Sequence, residues 1–200
     1  MLPSSKLTIV VHDRLPPAEV VECAADAYLA GFSDAPYFET PDHRAAFIDR
    51  VRRYSARDGF RLVVACRGDT CIGIGLSVIG RPGDWWRAQV AAQLTPEEAE
   101  EWLSAGVLEL VHLAVAPTAR GRGVGGAIHD TLLADRTARA AVLTVDLRAS
   151  PARALYGQRG WRPLREAVSI AGGPPATLMV RQLDGAAGLE PPTRGGEASP

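Results

Sequence analysis

Two features of this 200-residue chain carry chemistry at informative spacing. The first is a carboxylate in an apolar run: Glu109 sits within Val107 to Val115, a nine-residue strand candidate interrupted only by Glu109 and His112. Strand alternation puts Glu109 on the face of Val107 and Val111, where apolar neighbours raise a carboxyl pKa and suit it to accept a proton, directly or through water. A purely structural role, pairing with an Arg on a neighbouring strand or sitting at a solvated strand end, is the competing reading. His112 points to the opposite face of a regular strand and replaces Glu109 as base only if a bulge turns the chain; a packed, hydrogen-bonded histidine is its plainer role. The second feature is the turn Arg120-Gly121-Arg122-Gly123-Val124-Gly125, between that strand and a helix. Glycines let backbone approach a phosphate, and the free N–H groups and dipole of a helix start attract it. Arg120 and Arg122 add charge-assisted contacts or stay solvated.

The same turn fits other sites. Gly121 to Gly126 matches G-x-G-x-x-G, and Asp146 falls at the end of a later strand, as a dinucleotide fingerprint requires. In that fold the first glycine follows its strand almost directly and further βαβ units come after it. Here Ala-Pro-Thr-Ala and Arg120 intervene and little chain remains, so hydride transfer is a distant alternative. A triphosphate site of the G-K-[ST] kind is excluded, since Lys6 is the one lysine. Glycines serving only a tight connection are the plain alternative.

The elements that must position these groups are legible from periodicity and punctuation. A strand near Leu7 to Val11 precedes a helix with Val20, Val21, Ala24 and Tyr28 at helical spacing. Thr40 and Pro41 open a second helix that ends near Gly59. FRLVVACR and TCIGIGLSVIG flank Gly68-Asp69 as an antiparallel hairpin. RPGDWWRAQ reads as loop, and Thr95-Pro96-Glu97-Glu98 caps a short acidic helix. After the glycine turn a helix runs through Ile128, Leu132 and Leu133. AVLTVDL is a strand, SPARALYGQR a helix stopped at Gly160, and WRPLREAVSI and ATLMVRQL close the chain as two strands.

LELVHLAVAPTARGRGVGGAIHDTLL followed by ALYGQRGW resembles the two signature segments of the GNAT superfamily of acyl-CoA-dependent N-acetyltransferases. The order of elements matches from Leu7 to Leu183, with the Trp85-Trp86 insertion and the tail outside it. The resemblance implies an α/β fold with a mixed, mostly antiparallel sheet of about seven strands, splayed in a V between strands 4 and 5 and flanked by helices. It implies acetyl-CoA as co-substrate, with its pantetheine paired to the backbone of His112, Leu113, Ala114 and Val115. Its pyrophosphate would lie on the N–H groups of Arg120 through Gly125, with Gly126 alongside. Glu109 stands where the superfamily often places its base. Tyr156 resembles the tyrosine that faces the sulfur and reprotonates the thiolate, a role open to a protonated phenol; an aromatic core residue is the plainer reading. The Ala114 N–H would be the oxyanion donor if a bulge there leaves it unpaired. Relatives often carry Asn where this chain has Ala149, a contact for which Ser150 is the substitute.

The expected activity is direct transfer of an acetyl group to a primary amine of a small molecule or peptide. A non-catalytic acyl-CoA-binding module is the alternative. The acceptor site should be framed by the first two helices and the insertion, with Tyr37, Phe38, Trp85 and Trp86 as aromatic candidates and His112 at its edge. The acidic run Glu97, Glu98, Glu100 and Glu101 reads as a solvated helix face. Formal net charge is −1 with scattered arginines, which argues against a nucleic-acid partner. No apolar stretch has the length of a membrane span or a signal core. Cys23, Cys66 and Cys71 form no metal-ligand spacing with the four histidines, so no metal is expected and free thiols in a cytoplasmic protein are the plain reading. One domain over residues 1–183 is expected, with a disordered tail at 184–200; a homodimer is compatible with it.

Overall fold

The computed structural model describes residues 6–183, so the expected tail falls outside the described residues. Seven strands form one sheet in the order β1-β2-β3-β4-β5-β7-β6. These are β1 (Leu7–His12), β2 (Arg61–Arg67), β3 (Thr70–Ile79), β4 (Leu108–Val115), β5 (Ala140–Asp146), β6 (Arg162–Val168) and β7 (Ala176–Gln182). Every pairing is antiparallel except β4 with β5. The helices are α1 (Ala18–Phe32), α2 (Pro41–Tyr54), α3 (Trp85–Ala91), α4 (Pro96–Leu103), α5 (Val124–Leu133) and α6 (Ser150–Gly157).

Alternation along β3 sorts the layers. Ile74, Leu76 and Val78 face α1 and α2 and bury Val21, Tyr28, Phe47 and Val51 against the sheet. On the opposite face, Ile128 and Leu132 of α5 join Val63, Leu108 and Leu143 in a second core that also takes Tyr156 and Trp161. The third core, Val90, Trp102, Val107, Val142 and Val180 among its members, holds α3 and α4 against the far half of the sheet. Thr95 caps α4 as expected: its hydroxyl accepts from the Glu98 N–H at 3.2 Å, and the Glu98 carboxylate accepts from the Thr95 N–H at 2.9 Å.

Two irregularities set the site. Parallel pairing of β4 with β5 covers only Leu108 with Ala141 and Glu109 with Val142, so the strands part beyond Glu109. That parting is the expected V. In the pairing with β3, Leu110 lies opposite Ser77 and His112 opposite Leu76, which leaves Val111 as an extra residue in β4. A bulge of this kind shifts alternation by one residue. Glu109 pairs with Val78 and His112 with Leu76, so both turn to the α1/α2 face, the condition under which His112 joins Glu109.

Two expectations are corrected. The segment read as loop contains α3, whose inward face carries Arg87 and Val90 while Trp85 stays exposed. Seven residues with one buried arginine give no apolar period to detect. The thiols are not all free: Cys23 of α1 is disulfide-bonded to Cys71 of β3, with Cα atoms 5.9 Å apart. Packing of α1 across β3 brings together residues 48 apart in sequence, which spacing alone does not disclose. Cys66 remains free, its sulfur 3.5 Å from that of Cys71. Among the described residues no helix is long and apolar enough to cross a membrane.

Candidate active site

Two cavities follow one another along β4. The first, of about 370 Å³, runs from the glycine turn along Leu113, Ala114 and Val115, between the end of α1 and the start of α6. The second, of about 730 Å³, opens around Glu109, Val111 and His112 and is closed by the end of α2, the β3–α3 connection and Val142 and Thr144 of β5.

The groove joins the glycine turn to the side chains of Phe32, Tyr37, Arg148 and Leu155. Gly121 and Gly123 have φ of +69° and +78°, the left-handed region that favours glycine, and nothing lies within 4 Å of the point where a Cβ would sit on either. The space over the turn is therefore open. Gly123 is the N-cap of α5, so the N–H groups of Val124, Gly125 and Gly126 begin the helix without intrahelical acceptors. The expected cradle narrows at its start. The Arg120 N–H donates to Pro117 O at 3.3 Å, and its guanidinium, while lining the groove, donates to Val115 O at 3.1 Å and Gly31 O at 2.8 Å and so ties α1 to β4. Arg122 is exposed and does not line the groove. Gly126 lines it from below, packed under the Arg159 guanidinium.

Ala116 N donates to Ile72 O at 2.9 Å. From there the antiparallel ladder makes Ala114 with Ile74 the next hydrogen-bonded pair. The Ala114 N–H is therefore spent on β3, and the bulge expected there lies at Val111. Amides that face the splay belong to Leu113 and Val115. The oxyanion role assigned to Ala114 is corrected accordingly. Ser150 is exposed and outside the groove, while Ala149, Pro151 and Ala152 line it, so the substitute contact expected of Ser150 is absent from its walls. Arg148, which the sequence did not single out, lines it instead. Its N–H and guanidinium occupy both oxygens of Asp146, at 2.8 Å to 3.0 Å. The carboxylate a dinucleotide fingerprint would offer to a ribose is thus already engaged.

Tyr156 is 5% exposed, its ring 5.8 Å from Trp161 and 6.2 Å from His129. It lies behind the wall formed by Ala152 and Leu155. Burial, and then the nearby Tyr37 phenol, push its ionisation well above the ordinary range, so the hydroxyl keeps its proton. Tyr37 lines the groove, not the larger cavity, and Phe38, 65% exposed, lines neither. The two stand apart from Trp85 and Trp86, because the chain after α1 carries Tyr37 to the Val115 end of β4.

The larger cavity is built from side chains. Trp85 and Trp86 are among its lining residues. Glu109 is 6% exposed and its Oε1 accepts from Arg87 Nε at 2.5 Å. The competing structural reading is partly correct: an arginine does pair with Glu109, but it comes from α3 and not from a strand. Arg87 also donates to the carbonyls of Ser104 at 3.0 Å, Val107 at 2.9 Å, and Leu103. Gly80 makes room for this pair, since a Cβ there would meet Arg87 Nε at 1.9 Å and Glu109 Oε1 at 2.1 Å. Burial pushes the Glu109 carboxyl up, against the opposing pull of Arg87.

His112 is enclosed by the rings of Tyr28, Phe47 and Phe32, and its Nε2 lies 2.5 Å from Arg50 Nη1. Enclosure and the adjacent guanidinium push the imidazole down to about 3. It is neutral near pH 7, with Nε2 acting as acceptor toward Arg50 and unsuited to take a further proton. Arg50, Arg53, Tyr54, Arg57 and Arg81 also line this cavity and went unrecognised in the sequence. The available signal was spacing: positions 50, 53, 54 and 57 recur at helical intervals, although α2 ends at Tyr54 and Arg57 lies beyond it.

Comparison with known proteins agrees with this geometry. Residues 19–161, more than half of the chain, match the model of the acetyltransferase (GNAT) family. A GCN5-like protein acetyltransferase of Mycobacterium tuberculosis is 33% identical over 116 residues, covering 54% of this chain and 56% of that protein. The match thus spans little more than half the length of that relative. Among solved structures, an acetyltransferase from Thermus thermophilus superposes with TM-score 0.62 at 16% identity, over 90% of this chain and 99% of that one. A ribosomal-protein-alanine N-acetyltransferase from Brucella melitensis gives TM-score 0.58 at 17% identity, over 87% and 99%. At such identities these two neighbours speak for the fold alone, and the family match carries the rest: the chain belongs to the GNAT acetyltransferase family.

Proposed function

We propose that the protein moves an acetyl group from acetyl-CoA to a primary amine of a small molecule or peptide, directly and within a ternary complex. The observation that carries this reading is the succession of two cavities along one splayed strand, with an open glycine turn at one end and a buried carboxylate at the other. The turn fits a pyrophosphate because its two left-handed glycines leave unfilled space in front of the first amides of α5. Acetyl-CoA, when bound, supplies an activated acyl thioester and a thiol leaving group.

The chain's own groups divide the remaining work. N–H groups from Gly121 to Gly126 hold the pyrophosphate, and the splay-facing amides of Leu113 and Val115 hold the pantetheine arm as an added strand would. The Leu113 N–H, next to the bulge, is the donor for negative charge developing on the acyl oxygen. Glu109 accepts the amine proton, directly or through water, and the departing thiolate takes its proton from water in the open groove, since Tyr156, packed with Trp161 and His129, lines neither cavity. Cys23 and Cys71 are bonded to each other and no cysteine lines either cavity, consistent with transfer without an acyl-cysteine. A cytoplasmic setting, where acyl-CoA is at hand, accompanies this reading, although the Cys23–Cys71 bond removes the free-thiol argument for it.

The engagement of Glu109 by Arg87 favours one second reading, a non-catalytic acyl-CoA-binding module. A thiol-release assay with acetyl-CoA across an amine and peptide panel separates the two. Transfer predicts saturable turnover with at least one acceptor. Calorimetric CoA binding with no turnover on any acceptor would sink the enzyme reading and leave the module.

A further inference from the structure

The larger cavity carries an excess of positive charge that the proposed chemistry does not use. Four arginines, Arg50, Arg53, Arg57 and Arg81, line it together with two carboxylates, Asp84 and Glu109. Each carboxylate already has its own guanidinium: Asp84 is paired with Arg57, and Glu109 with Arg87 behind the wall. Arg50, Arg53 and Arg81 form no ion pair among the described residues. The excess is local, since the whole chain has a formal net charge of −1.

Arg50 is the most informative of the three. Half-buried, it is bonded to the neutral His112, a weak partner for a guanidinium built to take carboxylate or phosphate in two parallel bonds. It also reaches the Tyr28 phenol, which on its other side faces Glu39. Arg53 and Arg81 are exposed at the mouth, and the Arg53 guanidinium lies 5.5 Å from the centre of the Tyr54 ring. A cavity of this charge repels a simple protonated amine and welcomes one that brings its own anion. It also favours the unprotonated amine, the form that attacks a thioester.

We infer that the acceptor is a small amine that also bears an acidic group, carboxylate or phosphate, held by Arg50, Arg53 and Arg81 while its nitrogen faces Glu109. This inference rests on the larger cavity being the acceptor site. Its test is therefore chosen to give an answer even without turnover.

The full chain, saturated with CoA, is titrated calorimetrically with paired product-like probes: N-acetylphenylalanine against N-acetylphenethylamine, and N-acetyl-O-phosphoethanolamine against N-acetylethanolamine. The acidic member of at least one pair should bind about tenfold more tightly, and which pair does so separates carboxylate from phosphate. The preference should fall toward parity in Arg53→Gln/Arg81→Gln, two exposed positions whose replacement leaves the core intact, and should weaken with added salt. Equal affinities within both pairs, no binding of either acid, or a preference that survives the double substitution would each overturn it. If the acids bind selectively yet no amine is turned over, the transfer reading fails and what stands is the preference of this cavity for an acidic ligand. If neutral amines are turned over as well as acidic ones, the reverse holds.

Discussion

The two ends of β4 solve recognition differently. Toward Val115 the polar groups on offer are mainly backbone, set among apolar side chains: left-handed glycines, the first amides of α5 and the splay-facing amides of Leu113 and Val115. Toward Glu109 it is made of side chains from α2, the β3–α3 connection, α3 and two strands. A backbone site depends on local conformation and recognises a constant group. A side-chain site depends on which residues tertiary packing brings together, and it can change its ligand by substitution without disturbing the strand. On this account the glycine end holds what all substrates share and the arginine end selects among them.

Substitutions that separate the ends test this division. The largest effect is expected from Glu109→Gln, which should lower kcat/KM by roughly 10² to 10⁴ while leaving the affinity for CoA within about twofold. Loss of CoA binding in parallel would mean that the two ends are not separable. The wild-type pH profile sharpens the same point. Burial raises the Glu109 carboxyl and the base must be ionised, so kcat/KM should fall with decreasing pH at values above the ordinary carboxylate range. An acid limb at or below that range would argue against Glu109 as base. His112, held down near 3, should add no limb between pH 5 and 8.

Next in size is Arg87→Ala. Removing one partner of a buried pair strands the other, and the carbonyls of Ser104, Val107 and Leu103 lose their donor as well. A stability loss of about 3–5 kcal/mol is expected in urea unfolding. A loss under about 1 kcal/mol would show the pair to be replaceable by water. Gly80→Ala should act in the same direction, because its Cβ would displace the pair. Smallest is Gly123→Ala. Holding alanine at φ +78° costs roughly 1–2 kcal/mol and places a methyl group in the cradle, so CoA affinity should fall about tenfold with acceptor KM little changed.

How much of this was readable from sequence follows the same line. The glycine turn, the long strand with Glu109, the hairpin at Gly68-Asp69 and the capped helix at Thr95 are local patterns, and each stands where the sequence puts it. The bulge at Val111 is not local, because it exists only in register with β3. That is why the oxyanion amide moves from Ala114 to Leu113 and why His112 joins the face of Glu109. Arg87 and the cavity arginines were missed for a related reason. Surface arginine is the ordinary expectation, and only packing shows that Arg87 is 3% exposed. The Cys23–Cys71 bond likewise depends on α1 lying across β3.

The measurement that meets the central claim most directly is a calorimetric titration of the full chain with CoA, with pantetheine, which lacks the pyrophosphate, and with NADH. One CoA per chain, binding at least about tenfold more tightly than pantetheine, with no saturable heat from NADH, is the expected result. Tight NADH binding with none of CoA, or equal affinity for CoA and pantetheine, would contradict the assignment of the glycine turn as an acyl-CoA pyrophosphate site.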